Sequence, residues 1–333
     1  MTSAASTGDS RSPWLTSVAW RRLFRDQPLI PLISLLAVLV VSIGLIQPGI
    51  VGPAWAGVIM RAAVPLAILA GCQTLTMLTG GIDLSIGAIA SMAGFVTATF
   101  VNSPGGVPLG IAVALVAASL AGLINGIGVG AFRVHPLIMT LGMSLVVLGL
   151  ANVWQLQMVQ TGSGVPDGLR WLGSGTFFEV VPNSLLVFVP VAAMILLGLR
   201  RTGYGRLLFA VGDNPIAARL AGTRAWQVLI VLYVISALLA AVAGFLVLGL
   251  TNTASVTLVD SYVLPSVAAA VIGGTSIMGG RGGFGGTIVG ALILTVLAAL
   301  LAVIGLPEAT RQVVFGAIIV LVAAAYTRVT GQS

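Results

Sequence analysis

The stretch of sequence that decides the fold class occupies residues 226–250 and reads WQVLIVLYVISALLAAVAGFLVLGL. It contains no charged residue. As an α-helix it would be about 37 Å long, which is enough to cross the roughly 30 Å hydrocarbon core of a bilayer. The stretch therefore predicts a transmembrane helix.

Apolar runs of similar length recur along the rest of the chain, and most charges fall in the gaps between them. Only 7% of the residues are charged and 58% are hydrophobic, whereas a soluble protein has about 25% charged residues. With the first stretch, the runs lie near residues 29–47, 54–79, 86–101, 107–131, 136–157, 180–199, 226–250, 262–277, 284–304 and 309–327. We therefore predict an all-α, polytopic integral membrane protein with about ten transmembrane helices at 29–327.

The distribution of arginine predicts the orientation of the chain in the membrane. The sequence has fifteen arginines, no lysine and eight acids, which gives a net charge of +7. If the N-terminus is cytoplasmic, twelve arginines fall in inside gaps, and only Arg61, Arg170 and Arg311 lie on or near the other side. Because cytoplasmic loops are enriched in basic residues, we predict cytoplasmic tails at 1–28 and 328–333. The positive charge then needs no nucleic-acid partner.

Several kinds of enzymatic site are excluded by composition. One histidine, His135, and one cysteine, Cys72, cannot form a metal cluster. A phosphate-binding loop needs a lysine, which the chain lacks. If ATP drives transport, we therefore expect ATP and magnesium to bind to another polypeptide and no cofactor to bind to this one.

Two other functions stay open but have little support. An ion-coupled secondary transporter usually has paired ionisable residues inside its spans, and only Asp83 among the acids lies next to an apolar run. A membrane-embedded enzyme would depend on Asp83 or His135, and the position of His135 in a short gap before Pro136 favours a loop or interfacial residue over a catalytic base.

Two glycine-rich segments predict broken helices. The first, TGGIDLSIG at 79–87, has adjacent glycines that end a helix, and Asp83 or Ser85 can cap the next one. It predicts either an element of a translocation path, since broken helices at membrane depth line cavities or are buried, or a tight turn at the cytoplasmic surface. The second, IGGTSIMGGRGGFGG at 272–286, lies in a similar place in the second half and indicates an internal duplication.

Glycines at four-residue spacing also indicate close packing between helices. They are Gly122, Gly126 and Gly130 in one run and Gly282, Gly286 and Gly290 at the start of another.

The longest predicted inside gap, 200–227, contains a short helix with clear end signals. Asn214 is a typical N-cap, Pro215 suits the first helical position, and Gly222 suits the position just past the end. Its small apolar face consists of Ile216, Ala217, Leu220 and Ala221. Such a face suits docking onto a soluble partner, and the alternative is a helix lying on the lipid interface.

Few polar side chains occur within the runs, and these are candidates for contact with a polar solute. They are Gln73, Asn125, Asn152, Trp154 and Gln155. A polar amide facing lipid would cost free energy, so we expect these groups to face the protein interior. The alternative is that they form hydrogen bonds between neighbouring helices.

Taken together, these segments resemble the permease subunits of bacterial ATP-binding-cassette importers of the ribose/xylose/arabinose sugar class. The matching motifs are GGIDLSIG at 80–87, GLING at 122–126, PLIMTLG at 136–142, GDN at 212–214, AARLAG at 217–222, VIGGTS at 271–276 and GGRG at 279–282. They occur in the order of that family, from about residue 29 to 327.

The resemblance implies a non-enzymatic inner-membrane permease that imports a sugar or similar small polar solute by alternating access. It implies two cytoplasmic ATPase subunits, a second permease copy or paralogue and a periplasmic substrate-binding protein as partners. The coupling residues toward the ATPase would be Gly212, Asp213, Asn214, Ala217, Ala218 and Gly222. The resemblance gives no residue-level sugar site, so the candidates for the translocation path come from the sequence itself: Gln73, Asp83, Asn125, Asn152 and Trp154. Branched-chain amino acids or nucleosides are alternative solutes.

Overall fold

The computed structural model describes residues 29–158, 163–307, 309–318 and 320. The predicted tails at 1–28 and 328–333 lie outside these residues. The helices are α1 (Leu29–Ile46), α2 (Pro53–Leu78), α3 (Ile86–Thr99), α4 (Gly106–Gly130), α5 (Pro136–Met158), α6 (Asp167–Ser174), α7 (Leu185–Arg201), α8 (Gly203–Asp213), α9 (Pro215–Leu220), α10 (Ala225–Thr251), α11 (Val263–Ile272), α12 (Phe284–Val303) and α13 (309–318). The strands β1 (Thr176–Phe177) and β2 (Val181–Pro182) form a small antiparallel hairpin.

The prediction of an all-α membrane protein is confirmed, whereas the count of ten spans is not. In the described part of the chain, six helices are long and apolar enough to cross a membrane, namely α1, α2, α4, α5, α10 and α12. A seventh span is formed if α7 and α8, which meet at an angle of 69°, are taken together. The runs near 86–101 and 262–277 contain only α3 and α11, of about 21 Å and 15 Å, which are too short to cross the hydrocarbon core alone.

Two other runs differ from their predicted bounds. The run near 180–199 becomes helical only at Leu185, because the residues before it form the β1–β2 hairpin. The run near 309–327 is described only in part.

Helix α10 occupies the centre of the bundle, where α2, α3, α4 and α6 pack against it. Its contact with α4 follows the predicted glycine spacing. A Cβ atom on Gly122, Gly126 or Gly130 would run into the backbone of α10 near Tyr233, Ile230 or Trp226. The two backbones therefore touch with no side chains between them, and we call this contact the glycine seam.

The second glycine series packs α12 against α11 in the same way. A Cβ atom on Gly286 or Gly290 would run into the carbonyl oxygens of Gly273 and Ala269. Helix α11 ends at Ile272 with Gly273 as its C-cap, and the next residue, Gly274, has a φ of +90°, which favours glycine because it lacks a Cβ atom. The end of α11 therefore depends on the positive φ of Gly274 and on the close approach of α12 to the last turn of α11.

The two ends of the bundle differ in what covers them. At one end, α6 lies across the last turn of α10, and Arg170 donates a hydrogen bond to the side chain of Asn252 at 2.8 Å. Arg61 donates to the carbonyl oxygen of Ser174 at the same end. The opposite end carries α8 and α9. Arg61 and Arg170, two of the three arginines predicted to lie outside, are thus at the end opposite α9.

Candidate functional site

Asp83 lies at the centre of a buried polar network in the turn between α2 and α3, where its exposed fraction is 1%. One carboxylate oxygen accepts hydrogen bonds from the backbone N–H and the hydroxyl of Ser85, at 3.0 and 2.6 Å. The other accepts from the hydroxyl of Ser236 on α10, at 3.0 Å. A buried carboxylate without partners would be costly, and these bonds satisfy it. The bond from Ser236 also ties the turn to the central helix α10.

Three more side chains hold the same turn in place. The amide of Gln73 donates to the carbonyl oxygen of Asp83 at 2.8 Å and accepts from its backbone N–H at 3.2 Å. Asn125 on α4 donates to the hydroxyl of Ser85 at 2.9 Å. Thr140 on α5 accepts from the backbone N–H of Leu84 at 3.1 Å. The turn is therefore bonded to four neighbouring helices.

Gln73, Asp83 and Asn125, which the sequence singled out separately, come together in this network. Most of their hydrogen-bonding groups are used within the chain, although the side-chain oxygen of Asn125 is buried with no partner among the described residues. Whether these three also contact a solute stays a prediction.

The other two predicted path residues lie elsewhere. Asn152 is exposed and donates to the carbonyl oxygen of Leu148 within its own helix. The indole of Trp154 stacks on Phe100 with a centroid separation of 6.1 Å and donates to the hydroxyl of Thr99. Both lie at least twelve residues along α5 from Thr140, or about 18 Å, so they belong to the other end of the bundle.

Both glycine-rich segments and the end of α8 meet at one point, which we call the glycine junction. The backbone N–H of Gly280 donates to the carbonyl oxygen of Leu78 at 3.0 Å. A Cβ atom on Gly279 would lie 3.0 Å from the backbone nitrogen of Gly80 and 2.8 Å from the carbonyl oxygen of Gly212. A Cβ atom on Gly212 would overlap the carbonyl oxygen of Leu78. Only glycines therefore allow this approach.

The short helix predicted in the 200–227 gap is present as α9, which follows the junction directly. The side chain of Asn214 accepts hydrogen bonds from the backbone N–H groups of Ile216 and Ala217, at 3.1 and 2.9 Å, so it is the N-cap. Ile216 and Leu220 are 64% and 86% exposed. Ala217 is also exposed, whereas Ala218 points into the bundle.

Asp213 and Gly222 flank this helix. Asp213 is exposed, and a Cβ atom on Gly280 would lie 3.1 Å from its carboxylate. Gly222 has a φ of +86°, as a residue just past a helix end often does. The predicted coupling residues therefore form one continuous segment from the glycine junction to an exposed apolar surface.

A half-open cavity of about 410 Å³ lies on another side of α2. Its walls come from α2, α11, α12, α13 and the turn before α11, and its polar lining residues are Asp260, Ser261, Tyr262, Thr295 and Gln312. The sequence did not indicate this site, because its polar groups come from separate segments.

The position of Asp260 corrects the expectation that Asp83 is the only acid next to an apolar run. The loop after α10 folds back into the bundle, where the backbone N–H of Val259 donates to the hydroxyl of Ser91 on α3. A Cβ atom on Gly87 would lie 3.6 Å from a carboxylate oxygen of Asp260. Asp260 therefore lies beside the first turn of α3. No group of three or more His, Cys, Asp or Glu residues that could hold a metal occurs in the part of the chain that the structure describes.

Comparison with known proteins gives a consistent set of relatives. Residues 56–323 match a family described as branched-chain amino acid transport system / permease component. The chain is 33% identical to the fructose import permease protein FrcC of Rhizobium meliloti, over 80% of this chain and 76% of that protein. It is 32% identical to the ribose import permease protein RbsC of Bacillus subtilis, over 86% and 88%. It is 34% identical to the galactofuranose transporter permease protein YtfT of Escherichia coli, over 79% and 77%.

No solved structure matches the chain. The family match covers most of the chain, and the three relatives match it over most of their own length. These matches confirm the resemblance seen in the motifs, and with the apolar helices they identify a multi-pass membrane protein. The chain therefore belongs to this family of transport-system permease components.

Proposed function

We propose that the protein is the permease subunit of an ATP-binding-cassette importer that moves a monosaccharide into the cytoplasm. The observation that carries this proposal is the identity of 32–34% to permeases named for ribose, fructose and galactofuranose. The solute crosses by alternating access, and a separate ATPase subunit supplies the energy. The permease carries out no covalent chemistry.

The choice of a sugar over an amino acid rests on the more specific matches. The family description names branched-chain amino acids, whereas the relatives that align along most of the chain are named for sugars. A branched-chain amino acid or nucleoside is the alternative solute. An ion-coupled mechanism has no comparable support.

The proposed orientation places both termini and α9 in the cytoplasm of a bacterium, with the permease in the inner membrane. The bias of arginine toward the predicted inside gaps supports it. Two ATPase subunits that bind ATP and magnesium, a second permease copy and a periplasmic substrate-binding protein complete the importer. The absence of lysine from the sequence supports an ATPase site on another chain.

The ATPase subunit would dock on α9. Its exposed apolar side chains, Ile216 and Leu220, support a protein partner, since apolar groups left in water favour burial in an interface. Only Asn214 separates α9 from α8, whose end forms part of the glycine junction. A movement imposed on α9 would therefore reach the turn at Asp83 through backbone contacts. The alternative is that α9 lies on the lipid surface.

Uptake by the reassembled importer tests the proposed function. The permease would be reconstituted in liposomes with its ATPase and its binding protein, and uptake of labelled ribose, fructose, galactose and leucine would be measured with and without internal ATP. We expect ATP-dependent uptake of a sugar. Uptake of leucine alone would contradict the sugar assignment, and uptake driven by an ion gradient without the ATPase would contradict the importer.

Docking on α9 is tested by placing a charge on its exposed face. Ala217→Glu should abolish co-purification of the ATPase and uptake, because a carboxylate would have to be buried in the interface. Ala131→Glu, at an exposed alanine near the same end of the bundle, is the matched control. Undiminished co-purification with Ala217→Glu would contradict docking at this helix.

A further inference from the structure

The half-open cavity lies at mid-depth in the bundle. Leu66, in its wall, is close to the middle of the 26-residue helix α2, about 20 Å from either end. Leu294 and Thr295 lie near the middle of the 20-residue helix α12. The cavity is thus at the level where a solute would be halfway across the membrane. Its volume of about 410 Å³ falls in the range of small-molecule sites, which is roughly 300–1,000 Å³.

Two polar side chains in the wall have unused hydrogen-bonding capacity. Neither the carboxylate of Asp260 nor the side-chain amide of Gln312 forms a hydrogen bond with any described residue. They come from segments far apart in the sequence, and both line the same space. Thr295 donates to the carbonyl oxygen of Ala291, so its oxygen can still accept a bond.

The chemistry of this lining fits a hydroxyl-rich ligand. A carboxylate accepts hydrogen bonds from sugar hydroxyls, and an amide both donates and accepts. The ring of Tyr262 and the leucines offer apolar surface to the carbon face of a sugar ring. A few polar groups in a mostly apolar wall are typical of a site for a small molecule.

We propose that this cavity is the place where the permease contacts its solute during passage, with Asp260 and Gln312 binding the hydroxyl groups of a monosaccharide. The inference rests on the proposed function. It assigns solute contact to residues other than the Asp83 network, whose side chains hold a turn. The short helix α11 and the turn before it matter here because they place Asp260 at the wall of the cavity at this depth.

A structural role for Asp260 leads to different expectations. An acid in the first turn of a helix interacts favourably with the helix dipole, and Asp260 has this position before α11. Asp167 has the same position in α6, far from the cavity, and is exposed. Asp167→Asn is therefore the matched control for the loss of a first-turn charge.

The test measures uptake kinetics in the complete importer with its binding protein and ATPase. Asp260→Ala and Gln312→Leu should each reduce uptake at low solute concentration by about tenfold, since each removes a bond to a polar ligand. Asp260→Asn keeps part of the hydrogen bonding and should fall between Asp260→Ala and wild type. Assembly with the ATPase and the binding protein should be retained in all of these variants, and Asp167→Asn should keep wild-type uptake and basal ATPase activity.

Filling the cavity gives a second, independent measurement. Ala298→Phe places a ring in the space between the helices and should abolish uptake, whereas Ala112→Phe, on the exposed face of α4, should not. Wild-type uptake in Ala298→Phe and in both Asp260 variants would overturn the proposal and indicate a cavity that holds lipid. If the wild-type importer moved no sugar at all, the proposed function itself would fail, so the two failures are distinguishable.

Discussion

Gly212→Ala changes a single hydrogen to a methyl group at the glycine junction. The new Cβ atom would overlap the carbonyl oxygen of Leu78 and lie 2.8 Å from the backbone nitrogen of Gly280. These two atoms are joined by a 3.0 Å hydrogen bond. Because both neighbours are backbone atoms, no side-chain rotation can make room. The junction has to open for the methyl group to fit.

The expected loss of stability follows from three terms. Overpacking of this kind costs about 1–3 kcal/mol, and loss of the Gly280–Leu78 bond costs about 0.5–1.5 kcal/mol. Against this, alanine stabilises a helix by at most about 1 kcal/mol relative to glycine. Gly212 is next to last in α8, so that gain is smaller still. We expect a net destabilisation of about 1–4 kcal/mol and reduced coupling of ATP hydrolysis to uptake.

The assay is unfolding of the purified permease in mixed micelles, followed by uptake in the reassembled importer. Gly149→Ala in α5 is the control, because nothing lies within 4 Å of the position its Cβ atom would take. It should be neutral or slightly stabilising. Equal stability and uptake for Gly212→Ala and wild type would refute the close approach of α8 to the two glycine-rich segments.

Three further predictions concern other parts of the chain. Asn214→Ala should destabilise α9 by about 0.5–2 kcal/mol through loss of its N-cap, measured as faster amide exchange in that helix. Ser236→Ala should lower the thermal unfolding midpoint in detergent, because it leaves one oxygen of Asp83 buried without a partner, at a cost of about 1–3 kcal/mol; an unchanged midpoint would contradict the network. Cysteines placed at Ser163 and Ala221 in a Cys72→Ala background should react oppositely with an impermeant reagent in intact cells, and labelling of the second from outside would reverse the orientation.

The sequence predicted features that depend on neighbouring residues or on a fixed helical period. The six long spans follow from hydropathy, and the ends of α9 follow from Asn214, Pro215 and Gly222. The glycine seam follows from the spacing of Gly122, Gly126 and Gly130. Each of these features depends on local geometry, so a short stretch of sequence is enough to predict it.

What the sequence did not predict depends on contacts between distant segments. Hydropathy cannot separate a full span from α3 or α11, because a short buried helix is as apolar as a long one. Asp260 lies outside the predicted apolar runs, and only the fold shows that its loop returns to Ser91. The two glycine-rich segments were interpreted as equivalent parts of a duplication, which stays a prediction. The structure adds that Gly80 and Gly279 are in contact.

The glycine seam has a consequence for how the bundle can change shape. Most helix pairs have a layer of side chains between them, and changes of rotamer in that layer absorb small displacements. Here Gly122 and Gly126 rest directly on the backbone of α10, and Gly244 of α10 rests in turn on the carbonyl oxygen of Ala90 in α3. Such a contact contains no layer of side chains that could absorb a displacement by changing rotamer. We therefore expect helices α3, α4 and α10 to move together, and the rearrangements during transport to occur in the helices around them.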